Sequence, residues 1–317
     1  MLELRRLRLL LELERRGTMA AVAKVVGASP SAVSQQLGLL EEETGAKLLE
    51  PVGRGVRLTD RARALVEHAR VILERLERAE SELASWEDEP AGTLKVAVFQ
   101  SVLSTIIPPA LSRLAEQYPR LRVEISQRGP FDALEGLLSH DHDLVIGEEL
   151  PGFPQAKDAE IDEEDLAIDE IRLALPRKGR WAGLPAKLGA AAEAPWVMDP
   201  KGTTPALWAR TMCREAGFEP DVRFDSPDPT LHLRLVEEGQ AVAFLPDLLQ
   251  RLGRRRVRLV RLPGRPARRL FTAARRGSAQ HPAIVALRAS LGQEARSPAS
   301  ARGRGSAREG ASLHGAE

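Results

Sequence analysis

TMAAVAKVVGASPSAVSQQLGLLE, residues 18–41, decides how the rest of this chain is read. It divides into two short helical segments about a tight corner. In the first, Ala20, Val22, Ala23, Val25 and Val26 supply a small apolar face. Gly27-Ala28-Ser29 interrupts it, because glycine takes the backbone angles of a sharp helix corner that other residues resist. Ser29 then caps a second helix, and Pro30 stands in its first turn, where an N–H would be unpaired anyway. Val33, Leu37 and Leu40 recur at i, i+4, i+7 and point inward. The opposite face carries Ser31, Ser34, Gln35 and Gln36. Such side chains suit a helix in a DNA major groove, where Gln bonds an adenine edge bidentately and Ser reaches a base or a phosphate. Alone, the stretch also fits a helical hairpin in any small bundle, with Ser and Gln merely solvated, so its neighbours must decide.

Upstream, Leu4 to Arg16 forms a helix with Leu4, Leu7, Leu10 and Leu11 as its expected buried stripe. Downstream, Leu39, Leu40, Leu48 and Leu49 close a small core. Pro51-Val52-Gly53-Arg54-Gly55 is a turn joining two short strands, the second being Val56-Arg57-Leu58, and the hairpin makes a wing. Thr59 then caps a long helix running to about Trp86, with Asp60 adding negative charge at its start. Its apolar positions, among them Ala62, Leu65, Ala69, Ile72, Leu73, Leu76 and Leu83, alternate in steps of three and four, the seam of a coiled coil. Length without Gly or Pro favours a dimer over a lone helix packed on its own domain.

In this order the pieces resemble the LysR-type transcriptional regulators. The similarity starts near Leu2, runs through SPSAVSQQLGLLEEETGAKLLE and GRGVRLT, and continues in kind to about Leu291. Two departures stand out. Ala20 occupies the place of a usual capping Thr, which leaves Thr18 to cap the first helix of the motif, and Gly38 replaces a common basic residue. The resemblance implies a winged helix-turn-helix on an inverted-repeat, double-stranded DNA operator. It also implies a homodimer or homotetramer, a small-molecule effector between two C-terminal subdomains, and RNA polymerase as a possible further partner. Arg54, between two glycines, would reach a minor groove or a phosphate from the wing. Arg57 and Thr59 complete the expected DNA face with Ser31, Ser34, Gln35 and Gln36.

Composition narrows the class. The chain has 317 residues, with 46 Lys and Arg against 45 Asp and Glu, so no blanket polycation exists and DNA attraction must come from local patches. Cys213 is the single cysteine, which excludes an internal disulfide framework and fits a reducing compartment. No apolar run is long enough for a signal peptide or a bilayer span, so the reading is soluble and cytoplasmic, with no membrane partner. The preference for Arg over Lys, with abundant Ala and Gly, points to a GC-rich bacterial genome.

After the hinge Asp88-Glu89-Pro90-Ala91-Gly92 the pattern becomes alternating strand and helix, as in a parallel α/β sheet. Expected elements include strands at 94–99, 121–126 and 144–146, a helix at 106–117, a second α/β unit opened by a strand at 171–176, and a closing helix at 282–291. Such sheets bind ligands at the carboxyl ends of their strands. Ser101, Ser104 and Thr105 lie there, with Pro130 and Glu148 at the same edge and Thr203 and Thr204 facing them from the second subdomain. Hydroxyls at a helix start suit a carboxylate, and Glu148 suits an amine, so a small polar molecule with both groups, such as an amino acid, is one expectation. An equal alternative makes these ordinary loop and capping residues.

His140-Asp141-His142-Asp143 is the most enzyme-like run, but neighbours on an extended chain point to alternate sides, so no metal site is expected. Ser101 has no identifiable His partner, and neither a phosphate loop nor a Gly-x-Ser-x-Gly elbow occurs. The expected fold is α/β overall. It divides into a winged helix-turn-helix (1–59), a dimerisation helix (60–88), a periplasmic-binding-protein-like effector domain (92–292) and a disordered tail (293–317). Within the effector domain, subdomain I takes 92–164 and 276–292, and subdomain II takes 165–275. The expected function is ligand-responsive, DNA-binding transcription regulation without cofactor or catalytic residues. A ligand-independent regulator is the alternative, and an enzyme using the cleft is more distant.

Overall fold

A computed structural model describes residues 1–53, 55–252 and 256–297; Arg54 and the expected tail beyond 297 lie outside the described residues. Helices α1 (Leu4–Arg16), α2 (Met19–Val25) and α3 (Pro30–Thr44) enclose Leu7, Leu10, Val22, Val33, Leu37, Leu40 and Leu48. Local chemistry sets each boundary. Thr18 Oγ1 accepts from Ala21 N and Ser29 Oγ from Ala32 N, both at 3.2 Å, so Thr18 does cap the helix that begins with Met19. Gly27 turns the corner at a φ of 64°, in the left-handed region. Leu7, Leu10 and Leu11 are buried as expected, but Leu4 is exposed and Leu9 and Leu13 are buried as well. Because α1 packs on α2, α3 and α4 together, its buried surface is broader than one stripe.

The wing is β1 (Leu49–Val52) antiparallel to β2 (Gly55–Leu58). Glu41 of α3 fastens it, accepting from Leu48 N at 2.7 Å and Leu49 N at 3.1 Å. Burial opposes the Glu41 charge, but those two N–H groups and Lys47 hold its carboxyl below the usual range.

Helix α4 (Asp60–Ala84) carries two stripes rather than one seam. Ala62, Val66, Ala69 and Leu73 bury against the helix-turn-helix, while Glu77 and Ser81 bury further along. Ile72, at 40% exposure, and Leu83, at 61%, stand beside this stripe with Leu76 half-buried. Leu73 therefore belongs to the chain's own core, and the free stripe is Ile72, Leu76 and Leu83.

The C-terminal unit is built on a seven-stranded sheet. Strands β3 (Gly92–Val98), β4 (Leu121–Gln127) and β5 (Leu144–Glu149) are parallel, linked by α5 (Gln100–Thr105), α6 (Ile107–Gln117) and α7 (Pro130–Leu138). The helix expected at 106–117 is α6, one residue shorter at its start; the separate short helix α5 precedes it, the two meeting at Ile106 just before Pro108-Pro109. The second lobe holds β6 (Ile161–Pro176), β7 (Pro195–Met198), α8 (Thr204–Glu215), β8 (Asp221–Asp225), α9 (Pro229–Glu237), β9 (Ala243–Pro246) and β10 (Val257–Arg261). Strand β11 (Ala267–Arg275) returns beside β5, and α10 (Pro282–Arg296) closes the chain's described part.

Strand β6 starts ten residues before the expected strand. Its first half, IDEEDLAIDE, is too acidic to read as a strand, but β11 supplies the counter-charges: Arg269 meets Glu163 at 2.9 Å and Asp165 at 2.5 Å. The two lobes thus share continuous strands, β6 pairing β11 in one half and β9 and β10 in the other. Helix α10 also runs past the expected end at 291, so residues 293–296, expected to begin the disordered tail, are helical. Buried Glu294 takes Arg113 at 2.7 Å, and Arg251 donates to the carbonyls of Glu294 and Ala295, both at 2.7 Å, which satisfies the last turn.

Candidate DNA interface and effector cleft

On α3 the inward Val33, Leu37 and Leu40 leave Ser31, Ser34 and Gln35 exposed together. Ser31 Oγ lies 2.9 Å from Ser29 Oγ. Gln36 is placed differently from expectation. It is half-buried, and its Oε1 accepts from Arg6 Nε at 3.2 Å, so it fastens α3 to α1 rather than standing free. Thr59 is also engaged, its Oγ1 accepting from Ala62 N at 3.2 Å and donating to the Lys47 carbonyl at 2.9 Å. Arg57 is exposed on the wing and paired with Glu50 at 3.0 Å, a contact that water screens and a phosphate can replace.

Where the carboxyl ends of β3, β4 and β5 face the second lobe, a cleft of about 630 Å³ opens, within the range of small-molecule sites. Phe99, Leu150, Ile171, Met198, Trp208 and Phe244 give it an apolar body, the Trp208 and Phe244 rings meeting edge-on at 5.2 Å. Of the expected residues, Ser101, Pro130, Glu148 and Thr203 line it. Ser104, Thr105 and Thr204 do not. The hydroxyls of Ser104 and Thr105 donate back to the carbonyls of Gln100 and Ser101, at 3.0 and 2.5 Å, as four-residue spacing on a helix allows. Thr204 is the first residue of α8 and turns to solvent, while Thr203 caps that helix by accepting from Ala206 N at 3.4 Å.

Arg268 of β11 forms the floor. Buried to 6% exposure, it donates through Nη1 to Glu148 at 2.7 Å, through Nε and Nη2 to Asp169 at 3.0 and 2.8 Å, and through Nη2 to Ser101 Oγ at 2.8 Å. Asp169 also accepts from Leu248 N at 2.8 Å. Burial alone would discourage the guanidinium charge, but Glu148 and Asp169 raise its pKa on balance. Glu148 is therefore not a free acceptor for an amine, as the sequence suggested.

Asp199 follows β7 on the opposite wall. Among the described residues its carboxyl has no side-chain partner, and burial pushes its pKa up to about 7, with Glu148 adding repulsion and Arg268 opposing. His232 is buried, and burial lowers its pKa. Its Nε2 donates to the Ser226 carbonyl at 2.7 Å, as a neutral ring. No local signal marks Arg268, Asp169, Asp199 or His232 in the sequence.

The 140–143 run disperses. His140 Nδ1 approaches Glu77 at 3.4 Å, His142 packs on Gly136, and Asp143 accepts from Lys95 N at 2.8 Å.

Comparison with known proteins agrees with this layout. Residues 87–296 match the LysR substrate binding domain, and residues 4–63 match the bacterial regulatory helix-turn-helix protein of the lysR family. Similar proteins include the transcriptional dual regulator GltC of Bacillus subtilis, 26% identical over 247 residues, covering 78% of this chain and 81% of that one. PtxR of Pseudomonas aeruginosa, an HTH-type transcriptional regulator, is 30% identical over 251 residues and covers 78% of each. Among solved structures, full-length CbnR complexed with its target DNA superposes with a TM-score of 0.52 at 23% identity, covering 93% of this chain and 100% of that one. A full-length OxyR variant from Pseudomonas aeruginosa gives a TM-score of 0.61 at 19% identity, covering 92% and 98%.

Proposed function

The chain belongs to the LysR family of transcriptional regulators, and from that premise we propose how its parts divide the work. The winged helix-turn-helix (1–59) reads an inverted repeat in double-stranded DNA, Ser34 and Gln35 meeting base edges while Arg57 and Arg54 hold the backbone. The free stripe Ile72, Leu76 and Leu83 pairs two chains into a homodimer, which further contacts extend to a homotetramer. A small molecule enters the cleft between subdomains I and II, and RNA polymerase is the downstream partner. The protein works in the cytoplasm, beside its DNA; no helix among the described residues is long and apolar enough to cross a membrane.

The observation that carries this reading is the two-ended packing of α4. Its first half is built into the helix-turn-helix core, while Glu77 and Ser81 seat on the C-terminal unit through Arg275 at 2.6 Å and the Gly277 carbonyl at 3.4 Å. One rigid element thus belongs to both ends. A ligand changes DNA binding through it only by favouring one arrangement over another. Catalysis finds no support in Ser101, whose hydroxyl accepts from a guanidinium that takes no proton and so is not activated.

Selection of an operator from random duplexes, followed by gel shifts, tests the reading. Ser34→Ala with Gln35→Ala is expected to lose about 1–3 kcal/mol of discrimination per bidentate contact while keeping weak, salt-sensitive affinity. Undiminished selection of the same operator would remove those residues from the readout.

A further inference from the structure

The cleft's charges identify what class of molecule suits it, given the reading of the cleft as an effector site. Its buried cation is already enclosed: Arg268 holds Glu148, Asp169 and Ser101 at 2.7–3.0 Å, which leaves it poorly placed to grip an incoming carboxylate. Arg128 is the other guanidinium lining the space. It lies at the exposed rim and bonds its neighbour's carbonyl, Gln127, at 2.9 Å. Asp199, by contrast, is half-buried in the wall with no side-chain partner among the described residues. The rest of the wall is aromatic and aliphatic, and aromatic faces attract cations.

We propose that the cleft takes an organic cation, a protonated amine on an apolar body, with its ammonium on the Asp199 carboxylate and its body against Trp208 and Phe244. An acid bonded only to its own backbone N–H and facing an apolar cage gains a charge-assisted hydrogen bond from an ammonium, whereas a carboxylate ligand would meet repulsion from Asp199 and Glu148. This departs from the amino-acid expectation, because no free buried cation awaits the second charge. The charged and titratable groups lining the cleft beside Asp199 are Glu148, Arg268, Arg128 and His232, the last neutral, with Asp169 behind Arg268. With its pKa pushed up to about 7, Asp199 is half-protonated near pH 7, so an ammonium must find or create its ionised form. Amine affinity therefore rises with pH through that range, while the amine itself stays protonated to about pH 10.

Calorimetry on the full-length protein with three probes of one body, 4-phenylbutylamine, 4-phenylbutanol and 4-phenylbutanoate, provides the test. At pH 8 the amine is expected to bind roughly tenfold tighter than the alcohol, and the acid more weakly than both. In Asp199→Asn the amine's lead should vanish and alcohol binding should persist, which also checks that the variant is folded. Lowering the pH to 5.5 should erode the amine's lead and leave the alcohol unchanged. If the acid binds tighter than the amine, or Asp199→Asn preserves the amine's lead, the cation proposal falls while the effector cleft stands. If none of the three binds at millimolar concentration, both fall.

Discussion

Arginine and carboxylate meet in two places in this molecule, with different consequences. At the cleft floor, Arg268, Glu148 and Asp169 come from the adjacent strands β11, β5 and β6, and their side chains are 8%, 12% and 5% exposed. At the joint between α1, α4 and the C-terminal unit, Arg15 and Arg70 meet Glu160, and Arg70 also meets Glu14. These side chains are 21–30% exposed and stand on elements that belong to separate cores. Arg70 Nε lies 3.1 Å from Glu160 yet makes no hydrogen bond there, a looser fit than any at the floor. Neighbouring strands fix their side chains before the ions form, so the floor needs little ordering. The joint must hold two bodies in register with long, flexible side chains. The same chemistry is thus a fixed foundation in one place and a latch in the other.

Breaking the foundation should cost most. Arg268→Met leaves Glu148 and Asp169 buried without their cation, and a loss of about 3–5 kcal/mol is expected in denaturant unfolding of the full chain. A loss below about 1 kcal/mol would mean that the floor is no better sealed from water than the joint.

Gly277→Ala attacks the latch sterically. A Cβ there would lie 2.6 Å from the Glu74 carbonyl and 2.7 Å from the Glu77 Cβ, forcing α4 off the C-terminal unit. The expected cost is about 1–3 kcal/mol, with faster amide exchange along the second half of α4. Unchanged exchange would show that the seat is elastic enough to accept a methyl.

Glu160→Gln should do least to stability, about 0–1 kcal/mol and less in high salt, because Arg15 keeps the Leu138 carbonyl at 2.9 Å. Thermal melts at two salt concentrations check it. A salt-independent cost as large as that of Gly277→Ala would make the joint a buried foundation too.

Much of the frame is legible because its signals are local. Thr18, Ser29-Pro30 and Thr59 announce helix starts within three residues of the groups they satisfy. Ser101 and Glu148 are found by topology, since a parallel strand must end where a ligand can sit. Arg268 escapes because its partners are 99, 120 and 167 residues away and nothing beside it in Ala-Arg-Arg-Leu distinguishes it from Arg269. Asp199 reads as an ordinary turn residue. The first half of β6 hides for a related reason, its acids making sense only opposite the arginines of β11. Gln36 and Leu73 show a third failure: spacing puts a residue on a helix but does not say which neighbour covers that side.

Strand β11 carries both arginines of greatest consequence, Arg268 at the cleft and Arg275 at the seat of α4, seven residues apart or about 23 Å. Between them β6 holds one unmatched residue, Leu166, where the register slips at Leu270/Phe271. In evolutionary terms the strand is a ruler. Substitutions along it can drift while the interval stays, but gaining or losing one residue would turn every side chain beyond it to the other face of the sheet. Descendants of this gene can lengthen their surface loops freely, and they inherit this interval unchanged or lose one of its two ends.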